Sequence, residues 1–232
     1  ISLMSYKIPV YAAEIQAGIA DKICSNTSIA YCIKPELFKP TSDWIEKTLA
    51  NVQKHGRAIG SIADSDLYFV KSILVSTNWN RNDDVFDPVE VWAARNTPSH
   101  KPDNLNHNET TIVGHMIDIW PIDGDGKIVA EDTSIDDLPN FFHLLNSSVI
   151  YKAWTNEEMT KAVADLIEKI DKGEGVVSME CLFRGFDYAI ITPNGDKKIV
   201  DRNKETAFLT KHLRAYGGEG SYDNHKVGRL MR

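Results

Sequence analysis

"DYAIITPNGDKKIV", Asp187 to Val200, decides the fold class. Two short runs rich in β-branched and aromatic residues, "DYAIITP" and "KKIV", meet at "PNGD". Asn-Gly between two such runs supplies the positive φ angles of a tight hairpin turn, so the two strands lie antiparallel. The same strand composition recurs upstream in "LYFVKSILVST" (67–77), "TIVGHMIDIW" (111–120) and "VVSMECLF" (176–183). Most of these runs follow one another without room for a helical crossover, which again favours antiparallel pairing. Two helices interrupt the pattern. "TNEEMTKAVADLIEKIDKG" has a capping box in Thr155 and Glu158, apolar Met159, Ala162, Val163, Leu166, Ile167 and Ile170 at helical spacing, and a stop at Gly173. "TSDWIEKTLANVQKHG" predicts a second helix over 42–55, with cap candidates Thr41 and Ser42, apolar Ile45, Leu49 and Val52, and a stop at Gly56. The expectation is a single α+β domain spanning 1–232: a mostly antiparallel, curved or barrel-like sheet with flanking helices, the later helix docked through Met159, Val163, Leu166 and Ile170.

Composition narrows the function classes. Of 232 residues, 42% are hydrophobic and 25% charged, enough to bury a full core. The net charge of −7 lacks the basic excess of a general nucleic-acid binder, so no direct nucleic-acid contact is expected. Cys24, Cys32 and Cys181 are odd in number and widely spaced, which points to free thiols in a reducing compartment. No apolar run approaches the roughly twenty residues of a membrane span, and the N-terminal stretch lacks a signal-peptide core. A soluble intracellular protein without membrane contact is the expectation.

Three motifs lose on spacing. "DGDGKIVAED" begins like a calcium loop, but Lys127 stands where a third oxygen ligand belongs, and a hairpin turn fits better. His100, His107 and His115 lack the ligand spacing of a zinc site, so no metal is expected. "YGGEG" (216–220) lacks the phosphate-binding fingerprint and is expected to be a flexible turn.

His107 and Ser178 remain. His107 stands between two asparagines in "NHN", within a polar loop that has no structural need of an imidazole. In "GVVSMECLF", strand alternation puts Val177, Met179, Cys181 and Phe183 on a core face, with Val176, Ser178, Glu180 and Leu182 opposite. A strand serine by itself is an ordinary surface residue.

The stretch "ILVSTNWNRNDDVFDPVEVWAARNTPSHKPDNLNHNETTIVGHMIDIW" resembles the catalytic-histidine region of the prohead maturation proteases of tailed bacteriophages, enzymes similar in fold to the herpesvirus assemblins. The matching features are a strand ("ILVST"), a polar turn with aspartates ("NRNDD"), a short helix ("PVEVWAARN"), the histidine ("NHN") and an aliphatic–glycine pair ("IVGH"). "GVVSMECLF" resembles the family's serine strand. The resemblance spans about Ile73 to Tyr188, half of the chain. It implies an assemblin-like fold and a serine endopeptidase with Ser178 as nucleophile and His107 as base, without cofactor. It also implies scaffold and major capsid proteins as substrates, a homo-oligomer, and a location in the host cytoplasm inside the assembling prohead. The third catalytic member stays open among His212, Glu180, Glu205 and the aspartates Asp83 and Asp84. A catalytically inactive head protein retaining the protease fold is the alternative, and a binding module in which the two residues are incidental is another.

Overall fold

The computed structural model describes residues 8–24, 27–30 and 66–232, and the helix expected at 42–55 lies outside them. The architecture is α+β, built from antiparallel sheets with few helices, and among the described residues no sheet closes into a barrel. The described residues group into two compact units. One draws on 8–24, 27–30, 77–91 and 178–232, the other on 66–76 and 92–177.

In the second unit, β2 Leu67–Ser76, β5 Pro102–Leu105, β6 Asn108–Asp123 and β7 Phe142–Tyr151 form a four-stranded antiparallel sheet in the order β2-β7-β6-β5. β7 pairs with both β2 and β6, and its place as an inner strand was not apparent from the sequence. The helix Glu157–Asp171 covers one part of the sheet. Val163 is buried with Val113 and Ile150, flanked by Met159, Leu166, Ile167 and Ile170, as the periodicity predicted. The cap differs by one residue. Asn156 rather than Thr155 occupies the N-cap and accepts the Met159 amide at 3.1 Å, because its side-chain carbonyl reaches the N3 amide directly. Gly173, at φ 70°, ends the helix. Met159→Asp should lower stability by roughly 2–4 kcal/mol, since it puts an unpaired carboxylate on this packing face. A urea unfolding midpoint equal to that of the parent would count against the docking.

Backbone approach fixes one glycine. A Cβ on Gly114 would lie 2.0 Å from the Val149 carbonyl oxygen, so no other residue fits where β6 meets β7. The "DGDGK" stretch is the expected hairpin turn, with Asp123 Oδ1 accepting the amides of Asp125 and Lys127 and Ile122 bridging Ile128.

In the first unit, β3 Asn78–Trp79, β4 Asp84–Phe86, β9 Phe186–Ile191, β10 Lys197–Val200, β11 Ser221–Tyr222 and β12 His225–Met231 form a six-stranded sheet ordered β10-β9-β12-β4-β3, with β11 added on β12. The hairpin read from "PNGD" is present, closed by the Thr192 amide on the Asp196 carbonyl with Gly195 at φ 89°. The short β12–β4 contact is parallel, the exception to the antiparallel rule. A separate two-stranded ribbon pairs β1, Thr27–Ala30, with β8, Met179–Leu182. Helices Ala12–Gln16 and Ala20–Cys24 precede it, with Ile19, just before the second helix, and Ile23 within it both buried.

Candidate functional site

His107 occupies the tip of the β5–β6 hairpin. Leu105 pairs with Asn108, leaving Asn106 and His107 as a two-residue turn at φ 56° and 58°. Positive φ at both central positions is the pattern of a type I′ turn, whose second position ordinarily takes glycine. A β-carbon there costs about 1–2 kcal/mol. The same geometry recurs between β11 and β12 at Asp223 and Asn224, φ 47° and 59°, filled by residue types that adopt it with least strain. His107 is therefore held, exposed, at a position that turn chemistry would give to glycine.

Ser178 directly precedes β8 instead of lying within it. From Met179 onward the expected alternation holds: Met179 and Cys181 are half-buried, Phe183 is buried, and Glu180 and Leu182 face out, Leu182 at 81% exposure. Val177 departs from its expected core position at 38% exposure, because the strand has not yet begun there.

His107 and Ser178 belong to different units. All five candidates for a third member, Asp83, Asp84, Glu180, Glu205 and His212, belong to the unit of Ser178. Asn80 caps the "NRNDD" turn by accepting the amides of Asn82 and Asp84, and this turn aims both aspartates inward. Asp83 is buried at φ 60° between Arg214 (2.8 Å) and Lys226 (2.7 Å). Asp84 is buried against Arg229 at 2.7 Å, and Arg229 also donates to Tyr216 Oη at 3.4 Å. Burial pushes the Asp84 carboxyl above its usual range, with Arg229 pulling the other way. Both aspartates are thus engaged as structural counter-ions. Glu205 is exposed beside Lys204, and Glu180 is exposed on β8. His212 lies half-buried against the Tyr222 ring at 4.8 Å. Its buried Nε2 has no hydrogen-bond partner, and burial, with Lys211 nearby, lowers its pKa.

The glycines of "YGGEG" are not a loose turn. A Cβ on Gly218 would sit 2.3 Å from the His212 carbonyl carbon, so close approach of backbone requires glycine there, while Gly217 at φ 96° and Gly220 at φ 77° adopt the left-handed backbone that favours glycine.

One serine–histidine hydrogen bond left no mark in the sequence: Ser76 Oγ and His143 Nδ1 lie 2.7 Å apart in the second unit. It is a poor candidate for catalysis. His143 is 1% exposed, and burial depresses its pKa to about 4, well below what a general base at neutral pH needs. The depressed value has a consequence for stability. The unfolded chain binds a proton near pH 6.5 and the folded chain only near 4, so stability is full above 6.5 and falls as pH drops through this window. The loss should reach on the order of 3 kcal/mol at its acid end. His143→Asn should flatten that part of a pH series of urea midpoints, and an unchanged slope would refute the assignment.

Among the described residues no group of three or more His, Cys, Asp or Glu side chains is disposed to hold a metal ion, and no helix is long and apolar enough to cross a membrane. A scan against protein-family models, a search of curated proteins and a search of solved structures each found no match to the chain.

Proposed function

We propose that the chain is a serine endopeptidase of the prohead maturation type with an assemblin-like fold, in which Ser178 is the nucleophile and His107 the base. Ser178 Oγ attacks the scissile carbonyl carbon while His107 takes the hydroxyl proton. The imidazolium then returns that proton to the leaving amine, and water releases the acyl group by the same route. The step uses only protein groups and water. Scaffold and major capsid proteins are the substrates, cut inside the assembling prohead in the host cytoplasm by a homo-oligomer.

The observation that carries this reading is the backbone of His107. At φ 58°, on an exposed turn position that glycine ordinarily fills, it carries an imidazole; His100 shares the conformation at φ 63°, but His107 is the one that stands where the family's catalytic histidine is expected. The order of elements around it adds support. β2, the polar Asn80–Asp83 turn, the helix Pro88–Ala94, the hairpin tip and the Val113-Gly114 pair follow one another as the family's pattern requires. Pro88 at the first helical position and Asp87 Oδ1, which accepts the Val89 amide at 2.8 Å, start that helix.

The test is reaction with a fluorophosphonate probe followed by peptide mapping. Label on Ser178 in the parent, absent from Ser178→Ala and His107→Gly, is the expected result. An unlabelled but folded parent would favour the inactive head protein, and label on Ser76 would move the nucleophile.

A further inference from the structure

We infer that Glu14 and Arg202 form a clasp that positions Ser178, by docking the segment that delivers β1 onto β8. The functional half of this inference rests on Ser178 being the nucleophile proposed above; the structural half does not.

Glu14 is fully buried and Arg202 only 3% exposed at the side chain. Arg202 donates from Nε to Glu14 Oε1 at 2.8 Å and from Nη2 to Glu14 Oε2 at 2.7 Å, a two-pronged contact. The same Nη2 reaches the Pro9 carbonyl at 2.7 Å, and the guanidinium lies over the rings of Phe186 (4.4 Å) and Tyr11 (4.9 Å). Thr210 Oγ1 also donates to Glu14 Oε1, at 2.6 Å, and the Tyr11 amide donates to Oε2 at 2.8 Å. The carboxylate therefore joins residues 9–14 to Arg202 and Thr210, 188 and 196 positions after it in the chain.

The segment beyond Glu14 gives the clasp its reach. Ile19 and Ile23 bury themselves behind it, and the chain then enters β1, which pairs in register with β8 from Thr27↔Leu182 to Ala30↔Met179. Ser178 is the residue before Met179. A four-residue ribbon of two strands is marginal on its own, so the order of β8 depends on how firmly β1 is presented. A buried ion pair also holds as a unit: either both charges are satisfied, or one is left in a low-dielectric site at high cost. Docking of residues 8–24 is accordingly all-or-none, and with it the backbone that aims Ser178. Glu14 and Arg202 are positioning residues; they act on the serine through β1 and β8.

The experiment uses the full chain in four forms: parent, Glu14→Leu, the double variant Glu14→Leu with Arg202→Met, and Arg202→Lys. Amide hydrogen exchange is followed at Met179–Leu182 and at β9 and β12, and the fluorophosphonate reaction is resolved into its maximal rate constant and its half-saturating concentration. Glu14→Leu strands the guanidinium. It should speed exchange in β8 at least about tenfold while β9 and β12 keep their protection, and lower the maximal labelling rate at least about tenfold with half-saturation unchanged. The double variant replaces both charges with apolar groups and should restore both readouts. Arg202→Lys keeps a charge but loses the two-pronged contact, and gives a milder form of the same change should Glu14→Leu fail to fold. Unchanged β8 exchange in the single variants overturns the proposal, as does loss of protection in β8, β9 and β12 together. So does a double variant that behaves like Glu14→Leu. If the parent is not labelled at Ser178 at all, the peptidase reading fails, and the exchange data alone decide whether the clasp governs β8.

Discussion

His107→Gly should yield a chain about 1 kcal/mol more stable than the parent that no longer cleaves peptides. The two effects have one origin. At φ 58° a β-carbon is crowded by its own carbonyl, and glycine removes that strain while removing the imidazole. Ser178→Ala should abolish cleavage to the same extent, roughly 10⁴-fold or more, because removing either partner of a serine–histidine pair costs about as much as removing both. It should leave the chain folded, since the substitution removes a single hydroxyl from a half-buried position before β8. Urea unfolding of the three proteins and digestion of purified scaffold and coat protein, read by mass spectrometry, give both quantities. A His107→Gly chain that still cuts would remove histidine from the mechanism. One that is inactive but also less stable would mean that the imidazole is held for structure, and the strained backbone would no longer point to catalysis.

What could be read from the sequence was whatever is decided over a few residues. The hairpin at "PNGD", the strand within 67–77 and the apolar face of 157–171 were each legible from the pattern of a few residues, and each is present, while the polar turn "NRNDD" and the short helix after it, expected only from the resemblance, are present too. β7 escaped notice because Asn146, Ser147 and Ser148 break its apolar run, although Asn146 and Ser148 are buried and hydrogen-bonded to each other at 2.7 Å. β12 escaped for a similar reason, since Lys226, Gly228 and Arg229 look like a surface loop until their partners are known. Those partners are remote: Asp84 lies 145 residues before Arg229, and Glu14 188 before Arg202. Such pairs leave no local periodicity, so the acids of "NDD", open as catalytic candidates in the sequence, proved to be counter-ions. The residue types of the candidate site were legible, and the histidine's odd place in "NHN" was visible, but the φ angle that makes it informative was not.

Arg229→Met should cost about 3–5 kcal/mol, whereas adding Asp84→Leu to it should recover most of that loss. Both side chains are buried, and the guanidinium donates from Nε to Asp84 Oδ1 while lying 5.0 Å from the Phe183 ring and 5.4 Å from that of Tyr216. Methionine can occupy much of that aromatic slot, so the cost comes chiefly from the carboxylate left without a cation. Burial already raises the Asp84 pKa against the pull of Arg229. Without the arginine it should rise further, well above the unfolded value of about 3.9. A raised folded-state pKa means that the folded chain takes up the proton more readily, so the penalty is full above the folded pKa and relieved as pH falls through it. The gap between parent and Arg229→Met should therefore narrow on acidification from about pH 8 towards about pH 5, while the acid loss expected from His143 is common to both and cancels in the difference. Urea midpoints of the parent, single and double variants at the two pH values measure this. A gap independent of pH, or a double variant no more stable than the single one, would show that Arg229 contributes through its packing and not through its charge.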